Sequence, residues 1–82
     1  MLVGKRTRSD IGCVFSQAHG DTIKQKHIRL EVNEWRSQRK QTPLGFSYFG
    51  LVMKELQKEG FAEIVRGTAM PYWDDFKVWR KL

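Results

Sequence analysis

The sequence predicts an α+β fold in which three helices precede a C-terminal β-hairpin. Apolar residues recur at helical spacing as far as residue 60, and two short apolar runs separated by a loop follow it. The 82 residues are enough for one domain. Hydrophobic residues make up 40% of the chain, including three Trp and five Phe, which is enough for one small core.

The N-terminal segment carries charge but little that a core would bury. Residues 1–8 are therefore predicted to be a basic flexible arm, with its charges on Lys5, Arg6 and Arg8. The single domain is predicted to occupy residues 9–82.

A first helix is predicted after Ser9, a residue type that caps helix N termini. One apolar face follows at helical spacing: Ile11, Val14, Phe15 and Ala18. Gly20 is expected to end this helix. Cys13 is expected to be a small buried hydrophobic residue. A strand across residues 13–16 is the alternative, because Val and Phe favour strands.

The next segment has two possible periodicities. Helical spacing relates Ile28, Val32 and Trp35, whereas strict alternation relates Ile28, Leu30 and Val32. The stretch between residues 21 and 41 contains no Gly or Pro, which favours a helix from about 24 to 39. A short extended piece at residues 22–23 is expected before it.

The third helix has the clearest pattern. Pro43 and Gly45 mark the turn before it, and Ser47 is expected to be its N-cap. Its buried face is expected to contain Phe49, Val52, Met53 and Leu56. Gly60 is expected to end it as a left-handed C-cap.

A hairpin is predicted at the C terminus. Its strands are expected at residues 61–66 and 76–80, joined by a loop at residues 67–75. Trp79 is expected in the core, together with Trp35. Tyr72 and Trp73 fall in the loop, where exposed aromatic rings would form a candidate partner surface.

The charge is strongly basic and unevenly distributed. The net charge is +6 and the isoelectric point is near 9.8. Residues 1–40 carry +5 of this charge. A basic surface attracts polyanions, and counterion release favours binding to phosphates. Nucleic acid is therefore the expected partner. The bases do not follow one amphipathic helix, so no membrane interaction is expected.

Several functional classes have no signature in this sequence. One cysteine excludes an internal disulfide and a four-cysteine zinc site. His19 and His27 have no companion ligands at a metal-binding spacing, and no phosphate-binding glycine motif occurs. The chain is therefore expected to be non-enzymatic, with no catalytic residues, metal or cofactor. A cytoplasmic or nucleoid-associated location is expected, because the sequence has no secretion signal.

The segment from residue 47 to residue 80 has a recognisable order of elements. It begins with SYFGLVMKELQKEGF, a short amphipathic helix that ends in a charged turn, a glycine and an apolar residue. The two predicted strands follow. With two helices before it, this order resembles the winged helix-turn-helix superfamily, which implies a small winged-helix-like domain.

The resemblance implies duplex DNA binding with a role in transcription regulation. The third helix would enter the major groove and the hairpin would be the wing. The implied nucleic-acid-binding residues are Arg36, Arg39, Lys40, Ser47, Tyr48, Lys54, Lys58, Arg66 and Lys77. Lys5, Arg6 and Arg8 would form an arm along a groove, and a homodimer would supply more contacts than one short helix.

This sequence also departs from the usual pattern. The first turn of the third helix has no Arg, Asn or Gln, the residue types that best read bases, and Leu51 places an apolar side chain on the reading face. Two other functions therefore remain open. One is a protein-interaction module or inhibitor whose basic and aromatic surface binds an acidic protein. The other is an RNA-binding or ribosome-associated module.

Overall fold

A computed structural model of the chain describes residues 3–18, 20–67 and 76–82. The elements in chain order are α1 (Lys5–Gln17), β1 (Thr22–Lys24), α2 (Gln25–Gln38), α3 (Phe46–Lys58), β2 (Ala62–Arg66) and β3 (Val78–Lys81). The predicted α+β class, with three helices and an antiparallel hairpin, is confirmed. Within the described ranges, none of the helices has the length and apolarity needed to cross a membrane.

The first helix begins earlier than predicted. It starts at Lys5 with Gly4 as its N-cap, so residues 5–8 are helical and the predicted flexible arm is wrong for them. The guanidinium of Arg8 donates two hydrogen bonds to the carboxylate of Glu59, at 2.8 and 2.9 Å. This pair joins residues far apart in the sequence, so the local pattern around Ser9 gave no sign of it.

Two further expectations for this helix are wrong. Cys13 is exposed, because the buried face of α1 consists of Asp10, Ile11 and Val14. The helix ends at Gln17 with Ala18 as its C-cap, so Gly20 does not cap it. The strand alternative for residues 13–16 is excluded because these residues are helical.

The ambiguous second segment is a helix preceded by a short strand. Ile28 and Val32 are fully buried, whereas Leu30 is 51% exposed. This difference matches helical spacing and not strand alternation. The extended piece predicted at residues 22–23 is confirmed as part of β1.

The sheet joins the hairpin to the first half of the chain. The strand order is β1-β3-β2 and both pairings are antiparallel. Ile23 and Ile64 lie on either side of Trp79, which is buried as expected. The indole N–H of Trp79 donates a 2.8 Å hydrogen bond to the side-chain oxygen of the buried Gln25. The hairpin is therefore fastened to the start of α2.

The core lies between the helices and the sheet. The predicted buried face of α3 is confirmed, with Phe49, Val52, Met53 and Leu56 all at most 2% exposed. They pack with apolar residues of α1, α2 and the sheet, and Trp35 packs at the edge as a partly buried residue. This packing fixes which side of α3 faces outward.

The α3 helix ends as predicted. Gly60 has a φ of 77°, in the left-handed region that glycine adopts without a steric penalty. Its N–H donates to Gln57 O at 3.1 Å, and the N–H of Phe61 donates to Leu56 O at 2.9 Å. These two bonds form a Schellman motif, which satisfies carbonyls at the helix end.

The α2 helix ends in the same motif without a glycine. Lys40 has a φ of 60°. Its N–H donates to Ser37 O at 3.0 Å, and the N–H of Gln41 donates to Arg36 O at 2.8 Å. A non-glycine residue in this region is strained by about 1–2 kcal/mol. The turn that ends α2 therefore contains one strained residue, Lys40.

Replacing Lys40 with Gly is expected to stabilise the protein by about 0.5–1 kcal/mol. Relief of the left-handed strain outweighs the backbone entropy that glycine loses on folding. Urea unfolding measures the change. Lys40→Ala removes the same side chain but keeps the strain, so it should show no gain. A lower unfolding midpoint for Lys40→Gly would contradict this account.

Candidate nucleic-acid interface

The outward face of α3 is a polar stripe with an apolar centre. Its members recur at helical spacing opposite the core face, and all of them are exposed: Ser47, Tyr48, Leu51, Lys54 and Lys58. We call these five residues the α3 stripe. At a rise of about 1.5 Å per residue, the stripe is about 17 Å long.

The first turn of α3 contributes side chains to this surface and not to capping. The helix begins at Phe46 with Gly45 as its N-cap, so the predicted capping role of Ser47 is wrong. Ser47 lies one residue inside the helix and is exposed. Phe46 and Tyr48 are 50% and 47% exposed. Two hydroxyl groups and two aromatic rings are therefore exposed in the first turn of α3.

The other end of the stripe is cationic. Within the described ranges, Lys54 forms no ion pair. Lys58 lies 3.7 Å from a carboxylate oxygen of Glu55, and its side chain is 67% exposed. Such an exposed pair contributes at most about 1 kcal/mol. Both ammonium groups can therefore turn toward a phosphate at little cost.

The turn between α2 and α3 is held by Asn33, which was not among the predicted site residues. The side-chain amide of Asn33 donates to Leu44 O at 2.9 Å and accepts from Leu44 N–H at 2.8 Å. Arg36 adds a 2.7 Å hydrogen bond from Nε to Thr42 O. These bonds fix the start of α3 relative to α2. The available signal was an Asn in the middle of a helix, where it is an unfavourable residue.

Arg39 has an internal partner. Its guanidinium lies 2.6 Å from the carboxylate of Asp10, and its Nε donates to the side chain of Gln41 at 3.0 Å. The two ion-paired side chains are only 26% and 11% exposed. Arg39 therefore joins α1 to the end of α2. Lys40, the next residue, is exposed.

The hairpin presents a mixture of charges. Arg66 is exposed at the end of β2, and Lys77 is partly buried just before β3. Glu63 and Arg80 face each other across β2 and β3 and form an ion pair. The predicted partner surface, Tyr72 and Trp73, lies outside the described residues.

The N-terminal bases lie in the first turn of α1. Lys5 and Arg6 are exposed in the first turn of α1. The Arg8–Glu59 pair joins α1 to the residue that caps the C-terminal end of α3. Of the three predicted arm residues, Arg8 therefore contacts the C-terminal end of α3, and all three are part of a helix.

Potential metal ligands do not form a cluster in the described part of the chain. There, no group of three or more His, Cys, Asp or Glu residues is placed to hold a metal ion. His27 lies 3.9 Å from Glu31 on the exposed side of α2.

The chain matches no protein-family model, and it shows no significant similarity to the curated proteins or solved structures with which it was compared.

Proposed function

We propose that this protein is a small winged helix-turn-helix protein that binds duplex DNA and has a regulatory role. The α3 stripe enters the major groove, and the β2–β3 hairpin is the wing. The observation that carries this proposal is the stripe itself: an exposed helix face with hydroxyl groups at one end and lysines at the other. No cofactor takes part.

The order of elements supports the proposal. Two helices precede α3, a turn separates α2 from α3, and the hairpin follows directly. The turn is braced by Asn33 and Arg36, so α3 is held rigidly against α2. The B-DNA major groove is about 12 Å wide and accepts one α-helix. A helix braced from behind keeps its outward face in one orientation.

The charges of the protein also support the proposed DNA binding. The net charge of +6 favours a polyanion, and the exposed Lys54 and Lys58 are placed for phosphate contacts. Ser47 and Tyr48 supply hydroxyl groups for phosphates or base edges. Further phosphate contacts are assigned to four exposed bases on α1, after α2 and on β2, and to a half-buried one just before β3: Lys5, Arg6, Lys40, Arg66 and Lys77.

The internal contacts of Arg36 and Arg39 change the roles proposed for them. Arg36 holds the turn and Arg39 joins α1 to α2. We assign both to positioning α3 and not to binding phosphate. Arg8 likewise has an internal partner, Glu59 at the end of α3, and it is not assigned to phosphate.

Replacing Lys54 or Lys58 with Ala is expected to weaken duplex binding and to lower its salt dependence. Each lost phosphate contact reduces the slope of log K against log salt by about 0.9. Fluorescence anisotropy with a labelled mixed-sequence duplex at several salt concentrations measures the slope. The double variant should lose about twice as much as either single variant.

Lys24→Ala is the matched control, because it removes one exposed lysine from the sheet edge opposite to the strand that packs on α3. Its slope should equal that of the unmodified protein. An equal loss in the control and in Lys54→Ala would mean that net charge, and not the stripe, determines binding. Structured RNA that competes better than duplex DNA would replace the proposal with RNA binding.

The exposed apolar side chains of α3 favour one other function. Phe46, Tyr48 and Leu51 are each about half exposed and lie on the same helix. Aromatic residues of this kind are enriched in protein interfaces, so an acidic partner protein is the second candidate. Failure to bind any nucleic acid at low salt would support this second candidate.

Sedimentation of the protein with and without duplex tests whether the protein acts as a homodimer.

A further inference from the structure

We infer that Leu51 reads thymine, by contact of its side chain with the 5-methyl group in the major groove. The inference rests on the proposed DNA binding and adds a base preference to it. The α3 stripe would then favour A·T pairs at the position that Leu51 meets.

The position of Leu51 carries the inference. Its side chain is 54% exposed, although the core face of the same helix is fully packed. Ser47 lies one turn before it and Lys54 one turn after it, and both are exposed. The centre of the stripe is therefore apolar, while its flanks can bind phosphates. In a groove-bound helix, the centre of the outward face is the part closest to the bases.

The chemistry of leucine narrows what it can recognise. Its side chain has neither a hydrogen-bond donor nor an acceptor. Among the base edges of the major groove, the apolar group available to it is the thymine 5-methyl, since the other edges present donors and acceptors. Placing Leu51 against those edges without a partner would leave them desolvated, which is unfavourable. Contact with the methyl group of an A·T pair buries an apolar surface in place of part of a polar edge.

The flanking residues agree with this arrangement. Lysine side chains are long enough to reach the backbone on either side of the groove, whereas leucine is short and contacts only what lies directly in front of the helix. Phosphates carry no base identity, so Lys54 and Lys58 contribute affinity without preference. The preference would then depend on Leu51.

The test compares two duplexes that differ only in methyl groups. One is an alternating A·T duplex of about 25 base pairs, and the other has uracil in place of every thymine. The unmodified protein should bind the thymine duplex about fourfold more tightly for each methyl group it contacts, from about 0.8 kcal/mol per buried carbon group. Leu51→Ala should bind both duplexes equally.

Two controls isolate the effect. Leu30→Ala truncates a leucine on α2 that is 51% exposed, so it should keep the thymine preference. Lys54→Ala should weaken binding to both duplexes by the same factor. Thermal unfolding of each variant confirms that it is folded under the binding conditions.

Each outcome has one meaning. Equal binding of both duplexes by the unmodified protein overturns the thymine contact and leaves the DNA-binding proposal in place. A thymine preference that survives in Leu51→Ala also overturns it, because another group then reads the methyl. Binding to neither duplex at low salt overturns the proposed function together with this inference.

Discussion

Replacing Arg39 with Ala is expected to lower the free energy of unfolding by about 2–3 kcal/mol. The substitution leaves the carboxylate of Asp10, whose side chain is 11% exposed, without its partner at 2.6 Å. Removing one member of a fully buried ion pair costs about 3–5 kcal/mol, and the partial exposure of Arg39 reduces that figure. Urea unfolding at neutral pH measures the loss.

The Arg80–Glu63 pair is the matched control, since it is an ion pair on the exposed side of the hairpin. Arg80→Ala should cost at most about 1 kcal/mol. The double variant Asp10→Ala and Arg39→Ala should be more stable than the sum of the single losses implies, because neither charge is then stranded. Strict additivity would show that the two groups do not interact.

Arg39→Ala also distinguishes a positioning role of Arg39 from a direct contact between Arg39 and DNA. At a temperature where Arg39→Ala is fully folded, its salt slope for duplex binding should equal that of the unmodified protein. A slope reduced by about 0.9 would assign Arg39 to a phosphate and contradict its positioning role.

Replacing Gly67 with Ala is expected to cost at least about 2 kcal/mol and to disrupt the hairpin. Gly67 has a φ of 90°, where a side chain is strained. A Cβ atom there would lie 2.8 Å from the carbonyl carbon of Phe76 and 2.9 Å from Cα of Lys77, and it would also clash with the carbonyl oxygen of Phe76. These are backbone atoms, so no side-chain rotation relieves the contact. Thermal unfolding and amide hydrogen exchange in β2 and β3 measure the effect.

Two other glycines serve as controls for this prediction, with smaller expected losses of stability. Gly60 has a left-handed φ of 77°, but a Cβ atom added there would meet open space, so Gly60→Ala should cost only the strain, about 1–2 kcal/mol. A Cβ at Gly20 also meets open space, and no left-handed φ applies there. Gly20→Ala should change stability by less than about 0.5 kcal/mol. Equal losses of stability for Gly60→Ala and Gly67→Ala would show that the hairpin backbone shifts to relieve the clash at no cost in free energy.

The elements whose signals are local can be predicted from the sequence alone. The core face of α3 follows from apolar spacing, and its end follows from Gly60. The length of α2 follows from a stretch without Gly or Pro. The exposed stripe was also predictable, because the residues opposite a buried helix face must point outward.

Features that depend on residues far apart in the sequence are set by the packing of the elements. Side-chain hydrogen bonds join Arg8 to Glu59, Arg39 to Asp10 and Trp79 to Gln25. These partners are separated by 51, 29 and 54 residues in the sequence. Local periodicity carries no information about such pairs. These contacts join α1 to the end of α3, give Arg39 an internal partner and fasten the hairpin to α2. Helix faces follow from spacing within a few residues, whereas partners of buried charges and polar groups are chosen by how the elements pack.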